Sequence, residues 1–296
     1  MPRSARSPPR GPERRGKART IVDVGEIAFV KGHGTRNDFV LLPDPDGALE
    51  LTADLVARLC DRRAGVGADG VLRVVRSAAD ADAAAMAGRA AWFMDYRNAD
   101  GSVAETCGNG LRVFGRYLVD TGRAEPGPQL VATRAGVVHL DVPPAGDVSV
   151  DMGAPEVFES SKATLAGVAY EGLHVSMGNP HLVCVLDSAI GELDLTGAPD
   201  VDPLVYPHGA NIEFVNVLDH ERAAMRVYER GAGETPSCGS GACAVAAALA
   251  VRAGVSTGQW HLEVAGGRLQ LTIGSDGHVV LAGPAVLVAE GRYRLG

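Results

Sequence analysis

The feature that most narrows what this chain can become is a motif that occurs twice. Cys107-Gly108-Asn109-Gly110 and Cys238-Gly239-Ser240-Gly241 each stand immediately before an apolar run. After the first come Leu111, Val113, Phe114, Tyr117, Leu118 and Val119, apolar on most sides; after the second, Ala242 to Val251 holds no charged residue. Each run reads as a largely buried helix, the second being too short for a membrane span and too rich in alanine for a strand. A helix N-terminus offers free N–H groups and the positive end of the dipole, so it favours an anion: a thiolate, a bound carboxylate, or each in turn. Flanking glycines let a ligand approach the backbone closely. Taken alone, one such motif reads first as a buried cysteine at an ordinary helix start.

The two motifs sit in a longer repeat. Gly34-Thr35-Arg36-Asn37-Asp38-Phe39-Val40 has a counterpart in Met177-Gly178-Asn179-Pro180-His181-Leu182-Val183, and Gly67-Ala68-Asp69 in Gly209-Ala210-Asn211. Asn37 to Asp69 covers the same number of positions as Asn179 to Asn211, and the residue nine places before each cysteine is Asn98 in one half and Glu229 in the other. Such spacing implies an internal duplication, two similar units that each present one cysteine at a helix N-terminus.

Between these landmarks the chain is rich in short strands. Candidates are 21–30, 39–42, 71–75, 91–96, 129–133, 137–142, 173–177, 181–186, 211–217, 224–229, 261–264 and 269–273, separated by Gly, Pro and Asp turns. Residues 77–89, rich in Ala and Asp, read as an inserted loop or helix. Strands that outnumber helices, with one buried helix per half, give the expected fold: α/β in the broad sense, more closely α+β, with two pseudo-symmetric domains. In each, a mixed sheet or barrel wraps around a central helix. The expected boundaries are a disordered basic tail over 1–20, an N-terminal half over 21–145 joined by 284–296 packing back, and a C-terminal half over 146–283.

Composition excludes several function classes. The 296 residues carry a net charge of −8, and the tail contributes +6 of its own, seven basic side chains against Glu13. The remainder therefore stands at −14, which argues against a nucleic-acid binder. The tail lacks the apolar stretch of a secretion signal, and no membrane segment is expected. Five cysteines, Cys60, Cys107, Cys184, Cys238 and Cys243, are an odd count without such a signal, so a reducing cytoplasm is expected rather than a disulfide framework. Cys60, Cys184 and Cys243 lie in apolar surroundings and read as core residues. No Cys or His set completes a metal site, and none of the three lysines has a Schiff-base context, so neither metal nor cofactor is expected.

Two equivalent thiols, one per half, suit one chemistry in particular. Inverting a stereocentre by proton transfer needs a base on one face of the carbon and an acid on the other, with the roles exchanged in reverse. Two helix N-termini aimed at the neighbouring carboxylate would stabilise the carbanion; one such donor is typically worth on the order of 10²-fold in rate or more.

The sequence resembles the diaminopimelate epimerases from about Ile27 to the C-terminus. The motifs that carry the resemblance are Lys31-Gly32-His33-Gly34-Thr35-Arg36-Asn37-Asp38-Phe39, Gly65-Val66-Gly67-Ala68-Asp69-Gly70, Asn98-Ala99-Asp100-Gly101-Ser102 leading to the first cysteine motif, Gly178-Asn179-Pro180-His181, and Glu229-Arg230-Gly231-Ala232-Gly233-Glu234-Thr235 leading to the second. The resemblance implies a cofactor-independent isomerase, a homodimer, that interconverts LL- and meso-2,6-diaminopimelate for lysine and peptidoglycan synthesis. It implies Cys107 and Cys238 as the acid/base thiols. Gly108 with Asn109, and Gly239 with Ser240, would donate to the reacting carboxylate; Glu229 would face the reacting amino group. Asn37, Asn98, Asn179, Asn211 and Arg230 would hold the ends of the substrate, Arg230 and the asparagines taking the distal carboxylate. His181 would tune a thiol.

Read one at a time, Asn37, Asn98 and Asn179 could each be a turn former, and Arg230 beside Glu229 a surface ion pair. Arg36 stands where many members carry glycine, and Ser240 where threonine is usual, which keeps the hydroxyl. A proline or hydroxyproline racemase shares the paired-cysteine logic, but its substrate has no second carboxylate for Arg230 and the asparagines. A phenazine-type isomerase shares the fold without the cysteine pair, and a thiol redox switch in a binding protein is a reading from another class.

Overall fold

The computed structural model describes residues 25–295. The expected tail over 1–20 and the first residues of the strand expected at 21–30 lie outside that range; the strand itself runs Glu26–Gly34.

Among the described residues two mixed sheets make up the frame, each with eight strands in matching order, and the short strands Asp200–Val201 and Gly233–Thr235 add to the second. In the first half the neighbours run in the order Val286–Arg294, Glu26–Gly34, Asn37–Pro43, Gly70–Arg76, Trp92–Asn98, Gly127–Thr133, Gly136–Val142 and Val148–Asp151. In the second the order is Glu156–Leu165, Val168–Ser176, Pro180–Val185, Asn211–Val217, Arg222–Glu229, Gly258–Val264, Gly267–Ile273 and Val279–Gly283. The directions of pairing match step for step: antiparallel twice, parallel, antiparallel, parallel, antiparallel twice. This is the mixed, helix-poor α+β architecture that the repeat implies. The last strands of the two halves pair antiparallel, Leu281 opposite Val150, and join the sheets into one. The C-terminal strand does not follow its neighbour in sequence; it crosses to the first half and lies against Glu26–Gly34.

Three helices interrupt the strands: α1 (Ala53–Cys60), α2 (Gly108–Asp120) and α3 (Gly239–Ala253). The sheet of the first half curls around α2, whose Phe114, Leu111, Val113 and Leu118 pack with Phe39, Leu72, Val131 and Val150. Removing one such filling side chain, as in Phe114→Ala, would cost about 3–5 kcal/mol. Around α3 the sheet closes more tightly because the helix is built of small residues. Ala242 to Ala250 are all buried, against Val175, Val227, Leu262 and Leu271. Gly254 in the left-handed region (φ 68°) ends that helix, its N–H donating to the Ala250 and Val251 carbonyls.

The sequence reading leaves α1 unassigned, a short helix started by Thr52, whose hydroxyl accepts from the Leu55 N–H at 3.2 Å. It also leaves out the strands 148–151, 156–165, 279–283 and 286–294. Residues 77–89 hold only two single 3₁₀ turns, 77–79 and 84–86. Buried charges fix them: Arg73 reaches Asp44, Asp80 and Asp95, and Arg134 bridges Asp95 and Asp82. No described helix is long and apolar enough to cross a membrane.

Candidate active site

Both cysteines are helix caps in the literal sense. Cys107 is the N-cap of α2 and its sulfur accepts from the Gly110 N–H at 3.4 Å; Cys238 is the N-cap of α3 and accepts from the Gly241 N–H at 3.4 Å. A thiol replaces the usual hydroxyl or carboxylate at the position that satisfies an orphan donor. The N–H groups of Gly108, Gly239 and Ser240 have no protein acceptor among the described residues. They form two clusters of donors available to an anion.

The two helix starts meet. A Cβ on Gly239 would lie 3.6 Å from the Asn109 backbone nitrogen, and Leu281, from the strand that joins the halves, packs against both Gly108 and Gly239. Side chains tie the halves together here. Asn109, 1% exposed, donates to the Asn37 Oδ1 at 3.1 Å and to the Ser237 carbonyl at 3.2 Å. Thr35 donates to the Ser237 hydroxyl at 2.8 Å. The turn that carries Thr35 presses so closely on the second half that a Cβ on Gly266 would lie 1.7 Å from the Thr35 carbonyl oxygen.

Burial governs the thiols. It pushes Cys107 up to about 11, against the pull of the Gly110 N–H, and lifts Cys238 well above the ordinary thiol range, with Glu229 and Glu213 adding repulsion. The helix ends do not offset the loss of water, so both thiols rest protonated at neutral pH. Burial also raises the Glu229 carboxyl, which accepts from the Thr235 hydroxyl.

The asparagines are distributed unequally. Asn37 donates to Asp69 at 2.8 Å, which leaves its oxygen facing the Cys107 sulfur at 3.9 Å. Asn179 reaches Ser240 at 3.5 Å, and Ser240 lies 3.6 Å from the Cys238 sulfur. Asn211 is 7% exposed and accepts from the Arg230 N–H at 2.9 Å. Arg230 itself is exposed, donates to the His208 carbonyl at 3.3 Å, and makes no ion pair with Glu229 among the described residues. Asn98 stays within its own turn, donating to Ser102, and makes no hydrogen bond to either thiol's neighbours among the described residues. His181 is fully buried, with one ring nitrogen 3.1 Å from the Asn179 oxygen and the other 2.7 Å from Glu213.

Ser237 and Glu213 are partners that sequence reasoning does not single out; Asp69 and Thr35 lie in its repeated motifs, with no contact foreseen for either. Glu213 carried a signal, a charge inside the apolar strand Asn211–Val217, two residues from Asn211 and so on the same face. The pairing of Ser237 with Thr35, 202 residues apart, carried none.

This geometry has relatives. The family model described as diaminopimelate epimerase matches residues 29–158 and 173–288. A diaminopimelate epimerase of Acidothermus cellulolyticus is 53% identical over 91% of this chain and 97% of its own length; one of Thermobifida fusca is 50% identical over 91% and 98%. Among solved structures, a Bacillus anthracis phenazine biosynthesis protein of the PhzF family overlays with a TM-score of 0.68 at 15% identity, covering 91% of this chain and 99% of that one. A hydroxyproline epimerase from Agrobacterium vitis overlays at 0.61 and 15% identity, covering 91% and 93%. The structural likenesses concern the fold alone, whereas the sequence matches span both halves and both cysteine motifs: the chain belongs to the diaminopimelate epimerase family.

Proposed function

We propose that this chain interconverts LL- and meso-2,6-diaminopimelate without a cofactor, using Cys107 and Cys238 as the acid/base pair on opposite faces of the α-carbon. The observation that carries the reading is that each thiol caps its own helix and that the two capped ends abut across the halves. One thiol takes the α-proton as a thiolate while the other returns a proton to the opposite face. The carbanion spreads its charge onto the adjacent carboxylate, for which the N–H groups of Gly108 and Asn109, and of Gly239 and Ser240, are the donors. Glu229 faces the reacting amino group. Arg230 with Asn37, Asn98, Asn179 and Asn211 holds the rest of the substrate, the distal carboxylate included. Because both thiols rest protonated, one must lose its proton before turnover, and Glu229, whose charge bears on both thiols, is the carboxylate we assign to take it. The working form is a cytoplasmic homodimer supplying lysine and peptidoglycan synthesis. Its moving units are 21–145 with 284–296, and 146–283.

The test is proton exchange followed by NMR in deuterated, reducing buffer, with LL-diaminopimelate and separately with proline. Deuterium at the α-carbon of diaminopimelate with formation of the meso isomer, and its loss in Cys107→Ala and Cys238→Ala, is the expected result. Exchange in proline alone moves the assignment to a racemase, and exchange in neither sinks the catalytic reading.

A further inference from the structure

The internal repeat allows each side chain of the site to be compared with its twin. His181 and Glu213 correspond to Phe39 and Leu72: Phe39 pairs with Gly70 as His181 pairs with Asn211, Leu72 and Glu213 each stand two residues further on, and Leu72 lies against Gly110 as Glu213 lies against Gly241. All four are fully buried. The first half therefore fills with hydrocarbon the two places that the second half gives to a histidine and a carboxylate. The fold does not require charge at these positions. A buried ionic pair is often no more stabilising than apolar residues of similar volume, so its presence calls for a purpose other than stability.

The pair lies under the start of α3. Glu213 Oε1 accepts from His181 Nδ1 at 2.7 Å, a Cβ on Gly241 would lie 2.4 Å from that same oxygen, and Oε2 has no partner among the described residues. No arginine or lysine pairs with Glu213 among the described residues, and the ring of His181 is the partner it has. We propose that Glu213 is a positioning residue for Cys238: it holds His181 with a proton on both ring nitrogens, and this fixes which way the Asn179 amide faces.

The chain of donors follows from there. His181 Nε2–H donates to the Asn179 oxygen at 3.1 Å, which turns the Asn179 NH₂ towards Ser240 at 3.5 Å. A Ser240 oxygen that accepts from Asn179 sends its own proton to the Cys238 sulfur, 3.6 Å away. Cys238 therefore faces a donor. On the other side the acceptor-only Asp69 takes the Asn37 NH₂, so Cys107 faces an amide oxygen instead. With Glu213 neutral, His181 keeps one proton on Nδ1, its Nε2 becomes an acceptor, and Asn179 must turn over. Ser240 then donates to Asn179 and the Cys238 sulfur loses its donor. The other titratable groups that face this pair are Glu229, Cys238, His174, Cys184 and Tyr206.

The inference rests on the catalytic reading of Cys238, but its first test does not. In the ligand-free wild type, ¹⁵N NMR of the histidine rings should show His181 doubly protonated at pH 7.5, and Glu213→Gln should show a single proton on Nδ1. Because the Glu213 charge and the proposed His181 charge disappear together in Glu213→Gln, the net charge beside Cys238 is kept and the lost Ser240 donor decides. Alkylation of Cys238 at fixed pH, followed by peptide mass, should slow on the order of ten-fold in this variant while that of Cys107 is unchanged. In the exchange assay kcat should fall on the order of 10²-fold with KM nearly constant, as when one preorganised donor is lost. The double variant Glu213→Leu with His181→Phe copies the packing of the first half and should melt no lower than wild type while losing the same kcat. A neutral His181 in the wild type overturns the proposal, as does a Glu213→Gln enzyme with unchanged kcat and Cys238 alkylation. A wild type inactive in the exchange assay but with the expected histidine spectrum and alkylation would sink the catalytic reading and leave the placement of Glu213 standing.

Discussion

A cysteine at a helix N-terminus is ordinarily a reason to expect a thiolate, and here the structure supports the opposite in the resting protein. Burial takes Cys107 from its ordinary 9.0 to about 11. Since each unit is a factor of ten, its thiolate fraction at pH 8 is about 0.1%, roughly 100-fold below that of a free thiol. The higher pKa makes each thiolate more nucleophilic, with a Brønsted slope that restores about ten-fold of this, so the absolute rate is a weak discriminator. The pH profile is a strong one. Iodoacetamide labelling of the reduced, ligand-free protein, resolved by peptide mass, should give a Cys107 rate that climbs ten-fold per pH unit from pH 7 to pH 10 with no plateau. Cys238 should lag behind it, and Cys184 and Cys243, each held near about 12, serve as slow internal references. A Cys107 plateau below pH 8.5 would refute the reasoning, because it would mean that the dipole and the Gly110 N–H outweigh burial.

Three further outcomes follow from particular contacts. Glu229→Gln should abolish epimerisation yet raise the melting temperature at pH 7. The carboxyl's folded-state pKa is raised, so its burial costs nothing below its ordinary 4.5 and progressively more above; the gain should vanish at pH 4, and a lower melting temperature at pH 7 would contradict this. Arg36→Gly should stabilise by up to about 1 kcal/mol in urea titration, because Arg36 occupies the left-handed region at φ 65° in the tight turn between the first two strands, where glycine sits without strain. Mild oxidation with diamide should join Cys107 to Cys238 and stop turnover, with recovery in dithiothreitol. All five cysteines are free in the structure, and inactivation without a 107–238 cross-linked peptide would count against facing thiols.

What the sequence made legible was whatever repeats or is local. Cys107 and Cys238 are readable as helix starts because an apolar run with glycines follows each, and the matching spacings of Asn37, Asp69, Asn179 and Asn211 reveal that the halves share one topology. The strands at 156–165 and 286–294 escaped because they lie at sheet edges and face solvent along much of their length, so they lack the apolar pattern that marks an inner strand. The contacts that unite the halves, Thr35 with Ser237 and Asn109 with the Ser237 carbonyl, depend on how two separate sheets dock, which no local pattern encodes. Even for the residues foreseen, the orientation was not: that Asn37 shows its oxygen to one thiol while Asn179 turns away from the other follows from Asp69 and His181, residues distant from them in the site's chemistry but adjacent in space.

The repeat therefore supplies the geometry and the departures from it supply the chemistry. A frame with strict two-fold symmetry would give two thiols identical surroundings, and neither would be favoured to hold the single proton the proposed reaction needs. At equivalent positions of the two frames the halves instead place different charges: Asn98 against Glu229, and Phe39 with Leu72 against His181 with Glu213. Both carboxylates among the second-half members of these pairs bear on Cys238 and raise it further, whereas of the two only Glu229 raises Cys107, where the Gly110 N–H is the chief offset to burial. On the proposed reading, the resting enzyme is biased in which thiol gives up its proton first, and substrate binding has only to tip that bias rather than create it. Placing the same residues symmetrically, by carrying Glu229 over to position 98 as Asn98→Glu, should raise Cys107 as well and flatten the difference between the two labelling profiles; labelling profiles that keep their separation would show that the bias comes from the backbone frame and not from these side chains.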